Sequence, residues 1–291
     1  MAKIHTVSWS EIDTFRQCPF KHQLAYKERW QKEPVDGTPL SRGSLFHSVL
    51  EEHYNGILFS TQEESYEKIR GLLAVGESED MRTQDQILVE WIYDGYVENY
   101  GSDLNWKIMA VEYANEFWLP TPNGTRSNYK IKMKIDLIVK DPNGRIWITD
   151  HKTCRDLPKD KMLELDDQFG LYTWGLRTLG MTVHGSIHNA CRTYRYTSNK
   201  EQPLDERFKR SLMYRTDKEL DRIAIEAYAT AKRAYGPAPL GDEAERNPDT
   251  DRCNWRCDFT EPCLAGRKGV EIRGAGNLLQ MQGFRQNFER H

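Results

Sequence analysis

Two strand-like runs joined by Asp141-Pro142-Asn143-Gly144 constrain this chain more than any other feature. From Lys130 to Leu137, Lys130, Lys132, Lys134 and Asp136 alternate with Ile131, Met133, Ile135 and Leu137, and Arg145 to Thr153 is again strand-like. A strand sends successive side chains to opposite faces, so the first run has one apolar face that needs a core and one polar face that carries Asp136. Asp-Pro-Asn-Gly is a strong turn signal, and it returns the chain so that Asp136 and Asp150 fall at comparable depth on neighbouring strands. Lys107 to Leu119, joined to the first run through Pro120 to Thr125 with its Asn-Gly pair, adds a third strand. The three together predict an antiparallel meander.

Helical patterns flank it. Ser8 with Glu11 is a capping-box pattern, and Trp9, Ile12 and Phe15 recur at helical spacing until Cys18-Pro19 interrupts them. Phe20, Leu24 and Tyr26 open a second helical stretch, followed by a turn-rich loop from Gln31 to Ser41. Between Gly43 and Phe59, residues Phe46, Val49, Leu50, Tyr54, Ile57 and Leu58 form an apolar stripe with His47 beside it. Residues 61–100 read as a helical insertion, and Lys159 to Leu179 as a helix with Gln168 and Tyr172 four apart on one face. Val183 to Thr197 and Phe208 to Arg215 are strand candidates; Thr216 with Glu219 caps a helix to about Tyr235, stopped by Gly236-Pro237. This order predicts a single α/β domain over residues 1–291, with a mixed central sheet flanked by helices.

Charge narrows the function. Lys and Arg number 41 against 44 Asp and Glu, a formal charge of -3, so the chain lacks the overall positive field of an unselective nucleic-acid coat. The longest run free of charged residues, Thr178 to Cys191, is 14 residues and too short for a membrane helix, so no membrane partner is expected. Glu11, Asp13 and Arg16 stand where a secretory signal needs an apolar core, so a cytoplasmic protein with reduced cysteines is expected.

The chemistry concentrates in Ile148-Thr-Asp-His-Lys-Thr153, where Asp150 and Lys152 project from the same strand face. Two carboxylates on adjacent strands, about 4.8 Å apart, suit Mg²⁺ or Mn²⁺. Such a site suits phosphodiester hydrolysis, with Lys152 holding or deprotonating the nucleophile. Taken alone, an Asp-X-Lys pair is more often a surface ion pair of little worth.

Asp136, then Asp150-His151-Lys152, preceded by His47 and followed by Gln168-Phe-Gly-Leu-Tyr172, resembles the PD-(D/E)XK nuclease superfamily and, within it, the RecB-like exonuclease branch. The start from Ser8 to Cys18-Pro19 and the closing Cys253-X3-Cys257-X5-Cys263 resemble its iron–sulfur subset, similar to CRISPR-adaptation and AddB-type nuclease domains. The resemblance runs from residue 8 to 263 and implies a restriction-endonuclease-like core. It implies His47, Asp136, Asp150 and the backbone carbonyl of His151 as ligands to one or two Mg²⁺ or Mn²⁺ ions, Lys152 as the catalytic lysine, and Gln168 and Tyr172 beside the scissile strand. Asp150 stands where many relatives carry glutamate. Glu51, one turn past His47, is an outer partner of that site, and Trp174 reads as a core aromatic more readily than Tyr172 does.

Cys18 precedes Cys253 by 235 positions, so four thiolates from both ends would close nearly the whole chain on itself. Three cysteines within eleven residues, in a reducing compartment, point to metal before disulfide. Four soft ligands suit a [4Fe-4S] cluster or a structural Zn²⁺, and spacing does not choose between them. The resemblance implies the [4Fe-4S] cluster, acting as a clasp between the N- and C-terminal segments. Cys154 and Cys191 read as core thiols.

The expected function is hydrolysis of DNA, as an exonuclease on single strands or ends in recombination, repair or replication. A DNA-end-binding adaptor that cleaves little is the alternative. Lys130, Lys132 and Lys134 are either a phosphate-tracking strip or a solvated strand face. With no Gly-X4-Gly-Lys-Ser/Thr motif, unwinding would come from frayed ends or from a helicase or recombinase partner.

Overall fold

A computed structural model of the chain describes residues 3–33, 35–101, 105–196, 202–236, 243–273 and 277–288. Pro34, Thr197 and Pro237, which belong to the expected loop, strand and stop signal, lie outside the described residues. The first half runs β1 (His5–Ser8), α1 (Trp9–Gln17), α2 (Pro19–His22), β2 (Trp30–Lys32), α3 (Pro39–Phe59), α4 (Gln62–Leu72) and α5 (Gln84–Tyr100). The centre is β3 (Lys107–Pro120), β4 (Arg126–Lys140), β5 (Ile146–Cys154), α6 (Asp160–Leu163), α7 (Asp167–Thr178), β6 (Val183–Arg192), α8 (Leu204–Arg207) and β7 (Phe208–Met213). It closes with α9 (Asp217–Ala234), α10 (Thr250–Trp255), α11 (Thr260–Arg267), α12 (Leu278–Met281) and β8 (Phe284–Gln286). The order in the six-stranded sheet is β1-β4-β5-β6-β7, with β3 also on β4, while β2 and β8 pair separately. β4 and β5 are antiparallel, β5 and β6 parallel, so the sheet is mixed, as expected.

The chain divides into two compact units. The larger comprises Pro34–Phe117 and Lys132–Ala224. Its core gathers Phe46, Val49, Leu50 and Tyr54 of α3, Ile92 and Tyr96 of α5, and Leu137, Val139, Trp147 and Ile187 of the sheet. The apolar stripe of α3 therefore lies on the same core as β4 and β5, which carries His47 to the sheet. α3 begins at Pro39, four residues before the expected start, because Thr38 and Ser41 form a reciprocal capping box and proline at the first turn needs no amide partner. The expected helix from Lys159 to Leu179 is two helices. Asp166 breaks it by accepting the Gln168 amide at 2.9 Å and starting α7.

The smaller unit comprises Met1–Glu33, Trp118–Ile131 and Ile225–His291. Phe20, Leu24, Trp30, Phe259, Ile272, Leu279 and Phe284 form its core, with Cys18, Cys257 and Cys263 packed against it. The capping box expected at Ser8 is only half made. Ser8 accepts the Glu11 amide at 3.1 Å, but the Glu11 carboxylate is buried and meets His22 Nε2 at 3.0 Å and the Tyr235 hydroxyl. A carboxylate removed from water needs such partners, and they outcompete its own helix end.

Candidate active site

β4 and β5 pair in register from Lys140 opposite Ile146 to Leu137 opposite Thr149. One step beyond the last pair come Asp136 and Asp150. Along β4, Ile131, Met133, Ile135 and Leu137 are buried while Lys132 and Asp136 are half-buried and Lys134 exposed, as the alternation predicts. Beyond Leu137 the Asp136 carboxylate replaces a strand partner: it accepts the His151 amide at 2.7 Å. The N–H and C=O of one strand residue face the same side, so the His151 carbonyl is directed to the Asp136 edge as well.

His47 Nδ1 stands 3.4 Å from Asp136 Oδ2. Burial, opposed by the Asp150 charge, holds the His47 imidazole below its ordinary pKa, and a neutral imidazole is the form that binds metal. Burial and then Asp150 push Asp136 well above the usual carboxylate range. The site is thus short of positive charge, which is the electrostatic condition for binding a cation.

Among the described residues, the one group of three metal-capable side chains with donor atoms within 4.8 Å of one another is His47, Asp136 and Glu112. Glu112 was not among the sequence candidates. It lies on β3, where the burial pattern loses its alternation, and its φ of 49° is left-handed. Such a backbone is rare for a non-glycine residue inside a strand and re-aims the side chain. A strict period-two reading therefore gives no face to Glu112. The signal that remains is Lys134, which ion-pairs with Glu112 and is raised above an ordinary lysine chiefly by that bond. Replacing Glu112 by glutamine is expected to weaken Mn²⁺ binding at least about tenfold, measured by calorimetry on metal-free protein. Unchanged affinity would remove Glu112 from the ligand set.

Asp150 lies outside that triad. Its carboxylate is engaged by Lys152 Nζ at 2.8 and 3.1 Å and by Gln168 Nε2 at 3.3 Å. Burial pulls the Lys152 pKa down, but Asp150 and then Asp136 outweigh it, so the side chain is a firmly held ammonium. Tyr172 is 9% exposed, beside the Gln168 side chain and the Lys134 backbone, and burial followed by Asp150 raises its phenol. A cavity of about 10 Å³, room for one water, is lined by Asp150, Gln168 and Tyr172. Trp174 is the aromatic that departs from its expected core place: it is half-buried and donates from Nε1 to Asp221 at 3.0 Å. Glu51 is close to Glu112 and Lys134, its carboxyl raised by burial and then by Glu112.

His151 has a second role through its ring. The ring is 2% exposed, 2.7 Å from Asn189 Nδ2, and stacked on Tyr54 at 5.7 Å. Asn189 also reaches the Tyr96 hydroxyl at 3.0 Å, and Arg210 donates to that hydroxyl at 2.9 Å. This buried network fixes the strand residue whose backbone holds Asp136.

Two lysines of the candidate DNA strip have partners within the chain. Lys134 is committed to Glu112, and Lys130 Nζ lies 4.7 Å over the Trp118 ring. Lys132 is half-buried.

The smaller unit carries the thiols. Cys18, Cys253, Cys257 and Cys263 together line a cavity of about 310 Å³, with Lys21, Arg246, Arg252, Arg256 and Arg267 around it. Thr260 donates to the carbonyls of Cys253 and Cys257, the latter at 3.0 Å, fixing that loop. Of the remaining two thiols, Cys191 is in the core as expected, whereas Cys154, at the end of β5, is not. Cys191 is fully buried, and Cys154 is half-buried with its thiol pushed up by burial to about 11.

A family model described as the PD-(D/E)XK nuclease superfamily matches residues 6–264. Among solved structures, a "Putative exonuclease" from Eubacterium rectale is 12% identical, with 96% of this chain and 92% of that one covered and a TM-score of 0.53. At that identity the likeness speaks for the fold alone. SSO0001 is 13% identical over 91% of this chain and 88% of that one, at a TM-score of 0.39 that carries no argument. No curated protein matches the chain.

Proposed function

The chain belongs to the PD-(D/E)XK nuclease superfamily, and from that premise we propose that it is a metal-dependent deoxyribonuclease, an exonuclease acting on single strands or free DNA ends in recombination, repair or replication. The observation that carries this reading is the convergence of His47, Glu112 and Asp136 next to the Asp150–Lys152 pair. His47, Asp136, Asp150 and the His151 carbonyl, joined by Glu112, would hold one or two Mg²⁺ or Mn²⁺ ions; oxygen donors with one imidazole suit these hard cations. A metal held by these residues would supply charge neutralisation and a lowered pKa for bound water.

The chain's own groups do the rest. Lys152, kept charged by Asp150, holds the attacking oxygen and the phosphate by ammonium hydrogen bonds. Gln168 steadies Asp150 with its amide and, with the buried Tyr172, closes the side of the site away from solvent. His47, kept neutral, stays available as a ligand.

We place the chain in the RecB-like branch and read residues 1–291 as one nuclease domain, since the family match spans both compact units. Cys18, Cys253, Cys257 and Cys263 would hold a structural [4Fe-4S] cluster. A cavity lined by all four cysteines and ringed by cations that offset thiolate charge supports a four-thiolate centre there. A cytoplasmic site of action and a helicase or recombinase that supplies unwound DNA complete the reading. No helix among the described residues is long and apolar enough to cross a membrane.

The exonuclease assignment is tested by comparing linear with circular single-stranded DNA at equal nucleotide concentration in Mn²⁺. Loss of the linear strand with the circle intact is expected. Cutting of the circle would make the enzyme an endonuclease, and binding without cutting would favour the adaptor.

A further inference from the structure

Past the catalytic residues β5 and β6 continue side by side, Asp150 against His188, Lys152 against Ala190 and Cys154 against Arg192. Paired residues of neighbouring strands share a face, so Arg192 lies on the face that carries Asp150 and Lys152. The Thr193 amide donates to the Cys154 carbonyl at 2.7 Å and keeps the chain on this line. Tyr194 and Tyr196 follow, their rings 6.2 Å apart at 72° and 38% and 37% exposed. At about 3.3 Å per residue, Arg192, paired with Cys154, is about 7 Å along the strand from Lys152, and Tyr194 follows two residues past the end of β6.

The two rings are held but not covered. The guanidinium carbons of Arg192 and Arg155 stand 5.3 and 6.0 Å from the Tyr194 centroid, the outer part of the cation–π range. By contrast, Arg126 closes on Trp118 at 3.6 Å. Tyr196 is anchored by its hydroxyl, which donates to Glu206, while the residue keeps 37% of its surface exposed. Arg192 donates to the Arg155 carbonyl at 3.1 Å and has a loose 3.4 Å pair with Asp156, itself 74% exposed, which a phosphate could displace.

We propose that Arg155, Arg192, Tyr194 and Tyr196 form a platform that receives single-stranded DNA beside the metal site, its bases stacking on the tyrosines and its phosphates meeting the arginines. This rests on the nuclease reading and deepens it by naming the strand state of the substrate. Bases in a duplex are already stacked on one another, so exposed aromatic faces flanked by guanidinium groups select unpaired bases. Arg192, on the strand face of Asp150 and Lys152, ties the platform to the site of cleavage.

The test measures binding by fluorescence anisotropy of the full chain in EDTA, so that nothing is cut, using a short oligothymidylate and an abasic strand of equal length. Tyr194→Ala and Tyr196→Ala are each expected to weaken oligothymidylate binding at least about fivefold. Binding of the abasic strand should be unchanged, and Tyr194→Phe should restore the wild-type value. Arg192→Gln should weaken both strands and flatten the salt dependence. Wild-type affinity in the tyrosine variants, or equal losses on both strands, would overturn the platform. Hydrolysis of bis(p-nitrophenyl) phosphate by the wild-type protein in Mn²⁺ separates the two claims, because that diester is too small to span both regions. If the protein hydrolyses it and the tyrosines prove irrelevant to binding, the platform alone falls. If it hydrolyses neither this diester nor DNA, the nuclease reading falls.

Discussion

Replacing Lys152 by alanine is expected to lower the single-turnover rate of DNA cleavage about a thousandfold, within the range lost when a positioned proton-transfer or charge-stabilising group is removed. The fold should survive, since the Lys152 side chain is 40% exposed and, among the described residues, its bonds run to Asp150. Metal binding is the distinguishing readout. In the metal-free protein the Lys152 ammonium occupies Asp150 at 2.8 Å, so it competes with a cation for that carboxylate. Lys152→Ala should therefore bind Mn²⁺ at least as tightly as the wild type while cutting far more slowly. Asp136→Asn should lose both functions, because that carboxylate lies against His47 and the His151 amide. A Lys152→Ala protein with the wild-type rate would remove the lysine from the mechanism.

Removing the cysteine clasp should have the largest effect on stability. The proposed cluster, joining Cys18 to Cys253, would close a loop of 235 residues, and loop-closure arithmetic gives about 5 kcal/mol for a cross-link of that span. At ~2–4 °C per kcal/mol for a chain of this size class, Cys257→Ser is expected to lower the melting temperature by about 10–20 °C. It should also open the N-terminal segment to protease. The check is calorimetry on anaerobically purified protein, with iron, sulfide and zinc measured on the same sample. Unchanged melting would contradict the clasp, and stoichiometric zinc without iron would replace the cluster by a structural ion.

Much of this architecture is legible in the sequence because the decisive elements are local. The alternation from Lys130 to Leu137 and the Asp-Pro-Asn-Gly turn are set by neighbours in the chain, and the β4–β5 register follows from them. His47 is legible for a similar reason, as it rides beside a helical apolar stripe that has only one way to face a core. What depends on distant partners is not legible. Glu112 is hidden by a left-handed residue inside a strand, which breaks the period that would have assigned it a face. The burial of Tyr172 and the half-burial of Trp174 depend on where α7 lies on the sheet, and both fit the same helical spacing. Glu11 leaves its capping role for a partner, Tyr235, that is 224 residues away.

The central claim is that this acidic site cuts DNA when a divalent ion is supplied. The most direct measurement follows end-labelled single-stranded DNA over time with wild-type protein in Mg²⁺, in Mn²⁺ and in EDTA. Progressive shortening in either metal, abolished by EDTA, is the predicted result. DNA that stays at full length in both metals, under conditions where the protein is folded and bound to it, would contradict the account.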